Sequence, residues 1–521
     1  MLQIRELTLT HKKDFRILLE DFHMVLNDGD KAVIIGEEGN GKSTLMKFIY
    51  SPEMVEDYIE AKGIRVIGKE RLGYLPQELP IKEKEETLYE FFSQKESFWN
   101  HTPKELAALA GKLGVDTDFF YGEQKLKTLS GGEKVKAQLM SLLLEEPTVL
   151  LLDEPSNDID IETLEVLEKL IREWEHIVLF ISHDETLIEN TANMVILIEQ
   201  LQRKTKSRYT IARMSYTGFL EQRKRNYEQQ KAQALNEQRQ KELREEKYRR
   251  VLQSVERAQA TIGGAGKDLA DKMQAARNLK DKMHTVKAMG RRFEKADENM
   301  TEMPQQEEAI FFKLGGENAV IPSGKMVLEY QLDRLVAPGT EETRVLGENI
   351  FLRVRGPEKI VILGKNGAGK TTLVRKIAKE LLSRKDIHAE YMPQNYEELL
   401  PMEKMPIDFL DQTGDRERQS RIRTYLGSLK YTADEMSHPI RELSGGQKAK
   451  LFLLKMSLSG ANVLILDEPT RNFSPLSGGV LRKLLKEFPG AIISISHDRK
   501  YIEEVCDKRY VLTKDGLIAE E

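Results

Sequence analysis

The sequence predicts an α/β protein made of two copies of one domain, each with a mostly parallel sheet, joined by a helical hairpin. Three observations carry this. Short apolar runs that stop at a glycine turn or an acidic pair, such as "KAVIIG", "TVLLLDE", "EKIVILG" and "NVLILDE", read as buried parallel strands. Five blocks of the first half return, in the same order, in the second. Between the copies lies "RKRNYEQQKAQALNEQRQKELREEKYRR" (Arg223–Arg250), with no glycine, no proline and a dense mix of charges.

The repeat is read directly. "VIIGEEGNGKSTL" (Val33–Leu45) returns as "VILGKNGAGKTTL" (Val361–Leu373), and "YLPQE" (Tyr74–Glu78) as "YMPQN" (Tyr391–Asn395). "LSGGEKVKAQL" (Leu129–Leu139) returns as "LSGGQKAKLFL" (Leu443–Leu453), "VLLLDEPSND" (Val149–Asp158) as "VLILDEPTRN" (Val463–Asn472), and "ISHDE" (Ile181–Glu185) as "ISHDR" (Ile495–Arg499). The expected division is a first domain over 1–215, a helical linker over 216–300 and a second domain over 301–521.

Of the 521 residues, 40% are apolar and 32% charged, so cores can form beneath a well solvated surface. The net charge of −5 is unevenly spread. Glu221–Glu298 holds 20 Lys+Arg against 13 Asp+Glu, or +7, which leaves −12 for the rest. A basic segment on an acidic body suits a polyanionic partner for that segment, although a solvated helical face would also explain a charge run. One cysteine, Cys506, excludes an intramolecular disulfide and a cysteine zinc cluster. The N-terminus lacks the apolar stretch of a signal peptide, and no run approaches membrane-spanning length. A cytoplasmic protein is expected.

Each glycine-rich block has the spacing of a phosphate loop. The first comprises Gly36, Glu37, Glu38, Gly39, Asn40, Gly41, Lys42, Ser43 and Thr44. The second comprises Gly364, Lys365, Asn366, Gly367, Ala368, Gly369, Lys370, Thr371 and Thr372. Glycines let backbone N–H groups turn inward around phosphates, and the helix that follows adds its positive end. Lys42 and Lys370 would reach the β- and γ-phosphates, and Ser43 and Thr371 would hold Mg²⁺. Asp153 and Asp467 end apolar strands and would share the metal's shell. Glu154 and Glu468 are the candidate bases for the attacking water. Gln77 and Gln394 would sense metal and water, and His183 and His497 would contact the γ-phosphate. ATP and Mg²⁺ are the expected cofactors.

Phosphate loop, glutamine, "LSGG", acidic pair and histidine together resemble the ATP-binding-cassette family. The resemblance implies two cassettes facing each other, with two ATP sites between them. Ser130, Gly131 and Gly132 would complete the site of Lys370, and Ser444, Gly445 and Gly446 the site of Lys42. Serine hydroxyl, glycine N–H groups and helix start would clamp the γ-phosphate. The family stacks adenine on an aromatic upstream of the phosphate loop. Phe15 stands there in the first half, a place in the core being the preferred reading for it; the second half offers no equivalent. After the acidic pair the first copy reads "SNDIDIETL", with Asp158 where the family's histidine is common. The second reads "TRNFSPLSG", with Ser474 for the family aspartate and Pro475 after it. That departure puts equal hydrolysis at the two sites in doubt.

The linker is expected to form one helix from about Thr217 to Ala260 and another from about Lys267 to Lys295, parted at "GGAG" (Gly263–Gly266). Leu220, Tyr227, Leu235, Leu243, Val251 and Val255 suggest a coiled-coil stripe on the first arm. Leu269, Met273, Ala276, Leu279, Met283, Val286 and Phe293 suggest one on the second. At ~1.5 Å per residue the hairpin would reach about 60 Å. Two complete cassettes in one chain, with "YTGFLEQRKRNYEQQ" opening the linker and "FFKLGGENAVIPSGKMVLE" (Phe311–Glu329) entering the second cassette, resemble the F subfamily of the cassette proteins. That resemblance implies a ribosome-bound ATPase, monomeric, whose linker points at P-site tRNA and the peptidyl-transferase centre, and which needs no DNA. The subfamily splits into translation factors and proteins that protect ribosomes from antibiotics. Here Gln77 to Ser130 is 53 residues and Gln394 to Ser444 is 50, which leaves no room for a large inserted arm and leans toward the protective branch. The rivals are the ATPase subunit of a membrane transporter, which has no use for a basic hairpin, and a DNA-repair ATPase, which would split its cassettes or carry zinc cysteines.

Overall fold

The computed structural model describes residues 1–201, 206–262, 269–298, 301, 303, 314–315, 319–337, 344–411 and 413–520. Contacts divide the chain into two compact units, Met1–Tyr216 with Glu308–Glu521, and Thr217–Glu307.

The first unit holds both cassettes. Each is built on a six-stranded sheet whose first five strands are parallel and whose last is antiparallel. In the first cassette the order is Leu72–Leu75, Val149–Asp153, Ile177–Ile181, Lys31–Ile35, Met194–Leu201 and Lys206–Ala212. In the second it is Ala389–Met392, Val463–Asp467, Ala491–Ile495, Lys359–Leu363, Lys508–Thr513 and Gly516–Glu520. The inner strands are buried on both faces, which explains their unbroken runs of Val, Ile and Leu. Antiparallel ribbons flank the sheets, Leu2–His11 with Ile17–Leu26 in one and Met326–Val336 with Val345–Arg355 in the other.

A helical layer sits between the glutamine and the signature in each copy. In the first it is pinned by Phe92 and Phe120, whose rings meet edge to face at 4.8 Å. Its helices start at capping boxes, Thr87 with Glu90 and Thr102 with Glu105. The same device explains the fifth residue of each signature. Ser130 caps the helix Gly131–Leu143 with Glu133, and Ser444 caps Gly445–Ser459 with Gln447.

The cassettes meet through a seam of ion pairs. Arg482 forks onto Glu185 at 2.7 and 3.1 Å, and both side chains are buried. Arg499 reaches Glu168 at 3.0 Å and Asp184 at 3.4 Å, and Lys500 reaches Glu185 and Glu189. Every acid in these pairs comes from the first cassette and every base from the second. Burial works against the Arg482 charge, but Glu185 and Glu504 hold its pKa well above the ordinary value.

In the second unit the helices run Tyr216–Ile262 and Leu269–Glu298, 47 and 30 residues. They extend two or three residues beyond the expected ends, and "GGAG" lies outside the described residues. Pairing is antiparallel: Tyr248 meets Phe293 edge to face at 6.2 Å, while Gln233 and Glu237 hold Thr301. The expected stripe is met in part: Val251 and Val255 on the first arm and Val286 and Phe293 on the second are covered, and Leu220 and Tyr227 are half-buried. Leu235 and Leu243 are 47% and 61% exposed, and Met283 is exposed too. The covered positions from 234 to 255 are Ala234, Glu237, Lys241, Arg244, Tyr248, Val251 and Val255, in alternating steps of three and four. This is a heptad seam in which Glu237, Lys241 and Arg244 interrupt the apolar positions, so apolar periodicity finds only part of it. Side chains at 258–276, and with them Leu269, Met273 and Ala276, lie outside the described residues, as does Leu279.

Arg482→Ala would leave Glu185 buried without its main partner. The expected loss, read by urea unfolding, is about 3–5 kcal/mol, the scale for one half of a buried pair. Burial pushes the Cys506 thiol up to about 12. The folded chain is therefore expected to resist iodoacetamide at about pH 8 and to react once unfolded, which gives an independent readout of that transition.

Candidate functional site

Strand order puts the chemistry together. The phosphate-loop strand, the acidic-pair strand and the histidine strand lie near one another in each sheet and end on the same edge. Gly36, Gly39 and Gly41 take φ of 150°, 79° and 87°, and Gly364, Gly367 and Gly369 take 142°, 77° and 97°, so the loops curl as glycine allows. Each lysine folds back onto its own loop. Lys42 Nζ donates to the carbonyls of Gly36 and Glu37 at 2.9 Å, and Lys370 Nζ to those of Gly364 and Lys365 at 2.7 and 3.1 Å. Glu154 and Glu468 both sit in the left-handed region, at φ 52° and 54°, a strain typical of functional positions.

Around Lys42, Ser43 Oγ donates to Asp153 at 2.9 Å and Tyr74 OH to its other oxygen at 3.2 Å. Gln77 and Asn157 donate to Glu154 Oε2 at 2.8 and 2.5 Å, and His183 Nε2 lies 3.3 Å from Oε1. The second cassette closes this site: Gly446 N–H donates to Glu38, Lys450 pairs with Glu37 at 3.0 Å, and the Phe473 carbonyl lies 2.6 Å from His183 Nδ1. Burial pushes Glu154 up, but His183, Lys42 and Asn157 outweigh it and bring it down to about 2. Burial and then the Glu154 charge raise Asp153 to about 6.

Around Lys370, one cleft of about 520 Å³ is lined by the second phosphate loop, Gln394, Asp467, Glu468 and His497, and across it by Ser130 and Gly131. Here the support differs. Arg471 stands where Asn157 stands in the first copy, and it leaves Glu468 to bind Asp158 of the other cassette at 2.8 Å. Asp158 also draws Gln394, at 3.1 Å, and its carbonyl accepts from Asn366 at 2.6 Å. Both Asp467 oxygens and Glu468 Oε1 are buried without a hydrogen-bond partner. Burial and then Asp467 raise Glu468 to about 8, while burial and Lys370 lower His497 to about 4. Orphaned carboxylate oxygens beside a threonine hydroxyl fit a cation that arrives with phosphates. Ser474 remains a helix cap, bonding Ser477.

The structure thus brings the expected phosphate-loop, glutamine, acidic and histidine residues to one edge of each sheet, with the signature of the opposite cassette against each loop. Phe15 corrects an expectation. It is 77% exposed, at φ 55° on the turn before strand Ile17–Leu26, and so lies outside the core. Its neighbour Arg16 donates to the Gly39 carbonyl, which holds that turn against the phosphate loop. Asn157, Arg471 and Tyr74 were not singled out from sequence, although the first two lie in the segment where the copies visibly diverge.

Residues 19–157 and 348–471 match the family described as ABC transporter. The chain belongs to the ATP-binding-cassette family, its relatives are of the F type, and it binds ATP and is an ATPase. Among its relatives, the putative ATP-binding protein YdiF of Bacillus subtilis is 28% identical over 99% of this chain and 80% of its own. The ribosome protection protein VmlR of Bacillus subtilis is 28% identical over 94% and 83%. The ATP-binding protein Uup of Escherichia coli is 27% identical over 96% and 79%. The fold is similar to that of an archaeal ribosome recycling factor solved with a ribosomal stalk protein, with a TM-score of 0.57 at 17% identity, covering 99% of this chain and 90% of that one. Among the described residues no helix is long and apolar enough to cross a membrane.

A methyl group on Gly131 would fall 1.9 Å from the Asp158 carbonyl. Gly131→Ala is therefore expected to displace the turn that holds Gln394, Arg471 and Asn366, and to lower steady-state ATPase by about tenfold or more. Gly111→Ala, with nothing within 4 Å of its added carbon, should leave ATPase unchanged.

Proposed function

We propose that this chain is a ribosome-bound ATPase that closes its cassettes on two ATP molecules and lets go when they are hydrolysed. Its linker reaches toward ribosomal RNA, P-site tRNA and the peptidyl-transferase centre, and its role is protection of the ribosome against antibiotics. The observation that carries this reading is the segregation of charge, +7 on the hairpin against −12 on the remainder. Lysines and arginines on a stiff helical arm neutralise RNA phosphates, and the acidic cassettes keep that attraction confined to the arm. The relative named for ribosome protection supports it, and the ribosomal reading sets the protein in the cytoplasm.

In this reading each site takes loop and acids from one cassette and signature from the other. The glycine loops with Lys42 and Lys370 hold the phosphates, and the signature N–H groups of Ser130–Gly132 and Ser444–Gly446 cap the γ-phosphate across the interface. Ser43 with Asp153 and Gln77, and Thr371 with Asp467 and Gln394, would hold Mg²⁺, which when bound neutralises phosphate charge. Glu154 accepts the proton of the attacking water, Glu468 does so in the ionised form that burial and Asp467 disfavour, and His183 and His497 orient the γ-phosphate. Glu154 is held by three side chains, whereas Arg471 and Gln394 are turned from Glu468 toward Asp158, so the first site is the faster of the two.

The test is co-sedimentation of the Glu154→Gln/Glu468→Gln chain with ribosomes. Pelleting with Mg-ATP but not without nucleotide is expected. A chain that stays in the supernatant at both low and moderate salt would sink the ribosomal reading.

A further inference from the structure

The first phosphate loop carries two carboxylates, and both are turned across the interface. Glu38 Oε2 accepts the Gly446 N–H at the start of the helix Gly445–Ser459, and Glu37 pairs with Lys450 one turn further along that helix. Glu38 Oε1 lies close as well, 3.1 Å from where a methyl group on Gly445 would stand. An anion is thus already seated on the N–H group assigned above to the γ-phosphate of this site. The second loop does otherwise: Asn366, at the equivalent position, donates to the Asp158 carbonyl, and Lys365 pairs with Glu162.

We propose that Glu38 is a specificity-determining residue of the first ATP site, a carboxylate that occupies the γ-phosphate's place on the second signature and must be displaced by it. A carboxylate on unpaired helix N–H groups makes the same charge-assisted bond as a phosphate oxygen. The two anions cannot share one donor, and their mutual repulsion raises the requirement on the nucleotide. Glu38 is otherwise exposed to solvent, which lets it swing aside. ADP has no γ-phosphate, so it leaves Glu38 in place. The first site therefore takes ADP without penalty and ATP against a competitor, and it can hold the second signature when no triphosphate is present.

The proposal rests on the site assignment above and can be separated from it. The full-length chain carries Glu154→Gln to stop hydrolysis and Lys370→Ala to remove the second site, and Mg-ATP and Mg-ADP are titrated by calorimetry. Adding Glu38→Asn, which copies the second loop, is expected to tighten Mg-ATP by about tenfold or more, the worth of one charge-assisted bond. Mg-ADP should stay within about twofold. Equal tightening of both nucleotides would reduce Glu38 to general repulsion and overturn the proposal, as would an unchanged affinity for Mg-ATP. Ser444→Arg in the same background, with Glu38 intact, should weaken Mg-ATP and spare Mg-ADP. If it does not, the assignment of this signature to the γ-phosphate falls. If it does while Glu38→Asn changes nothing, only the role of Glu38 falls. No step uses a ribosome, so the ribosomal reading is tested elsewhere.

Discussion

A parallel strand that feeds a helix delivers its turn to the carboxyl edge of the sheet, and this constraint governs the molecule. With Lys31–Ile35 and Lys359–Leu363 well inside their sheets, the glycine loops open where Asp153, Glu154 and His183, or Asp467, Glu468 and His497, also come to rest. One edge collects loop, acids and histidine but no second set of donors to face them. Those come from the signature helix of the other cassette, whose first N–H groups are left over when the capping box has used its share. In the proposed reading a complete site therefore needs two sheets edge to edge, and it exists only while they are together.

The two sites spend the same parts differently. Around Glu154 the polar side chains point inward, from Gln77, Asn157 and His183. Around Glu468 the corresponding groups are drawn outward to Asp158, whose left-handed turn lets it accept from Gln394, Arg471 and Asn366 together. Replacing one amide by a guanidinium accounts for much of this, because Arg471 is long enough to cross the interface and its charge seeks a carboxylate there.

The duplicated blocks made the sheets, loops and acidic pairs legible, because strand burial and glycine geometry are local and leave periodic marks. What stayed hidden depends on neighbours distant in sequence. Phe15 is apolar and precedes a strand, so it reads as core, yet the turn that carries it faces away. The hairpin seam also passes through Glu237, whose carboxylate holds Thr301, and Arg244, whose guanidinium lies over the Phe293 ring, contacts that apolar spacing discards. Meanwhile Leu235 and Leu243 supplied a regular spacing and lie outside. The roles of Glu38 and Asp158 appear only once the opposite cassette is set against them.

The ion-paired seam has a consequence for how the duplicated halves recognise each other. By the offset that relates Glu154 to Glu468, Glu168 corresponds to Arg482 and Glu185 to Arg499. The Arg482–Glu185 and Glu168–Arg499 contacts are thus one contact and its pseudo-twofold image, with acid and base assigned to opposite halves. Two first halves set face to face would oppose glutamate to glutamate twice over, and two second halves arginine to arginine. The charge pattern makes the interface selective: each half disfavours its own twin and accepts its sibling, so crowding many copies together does not scramble the pairing.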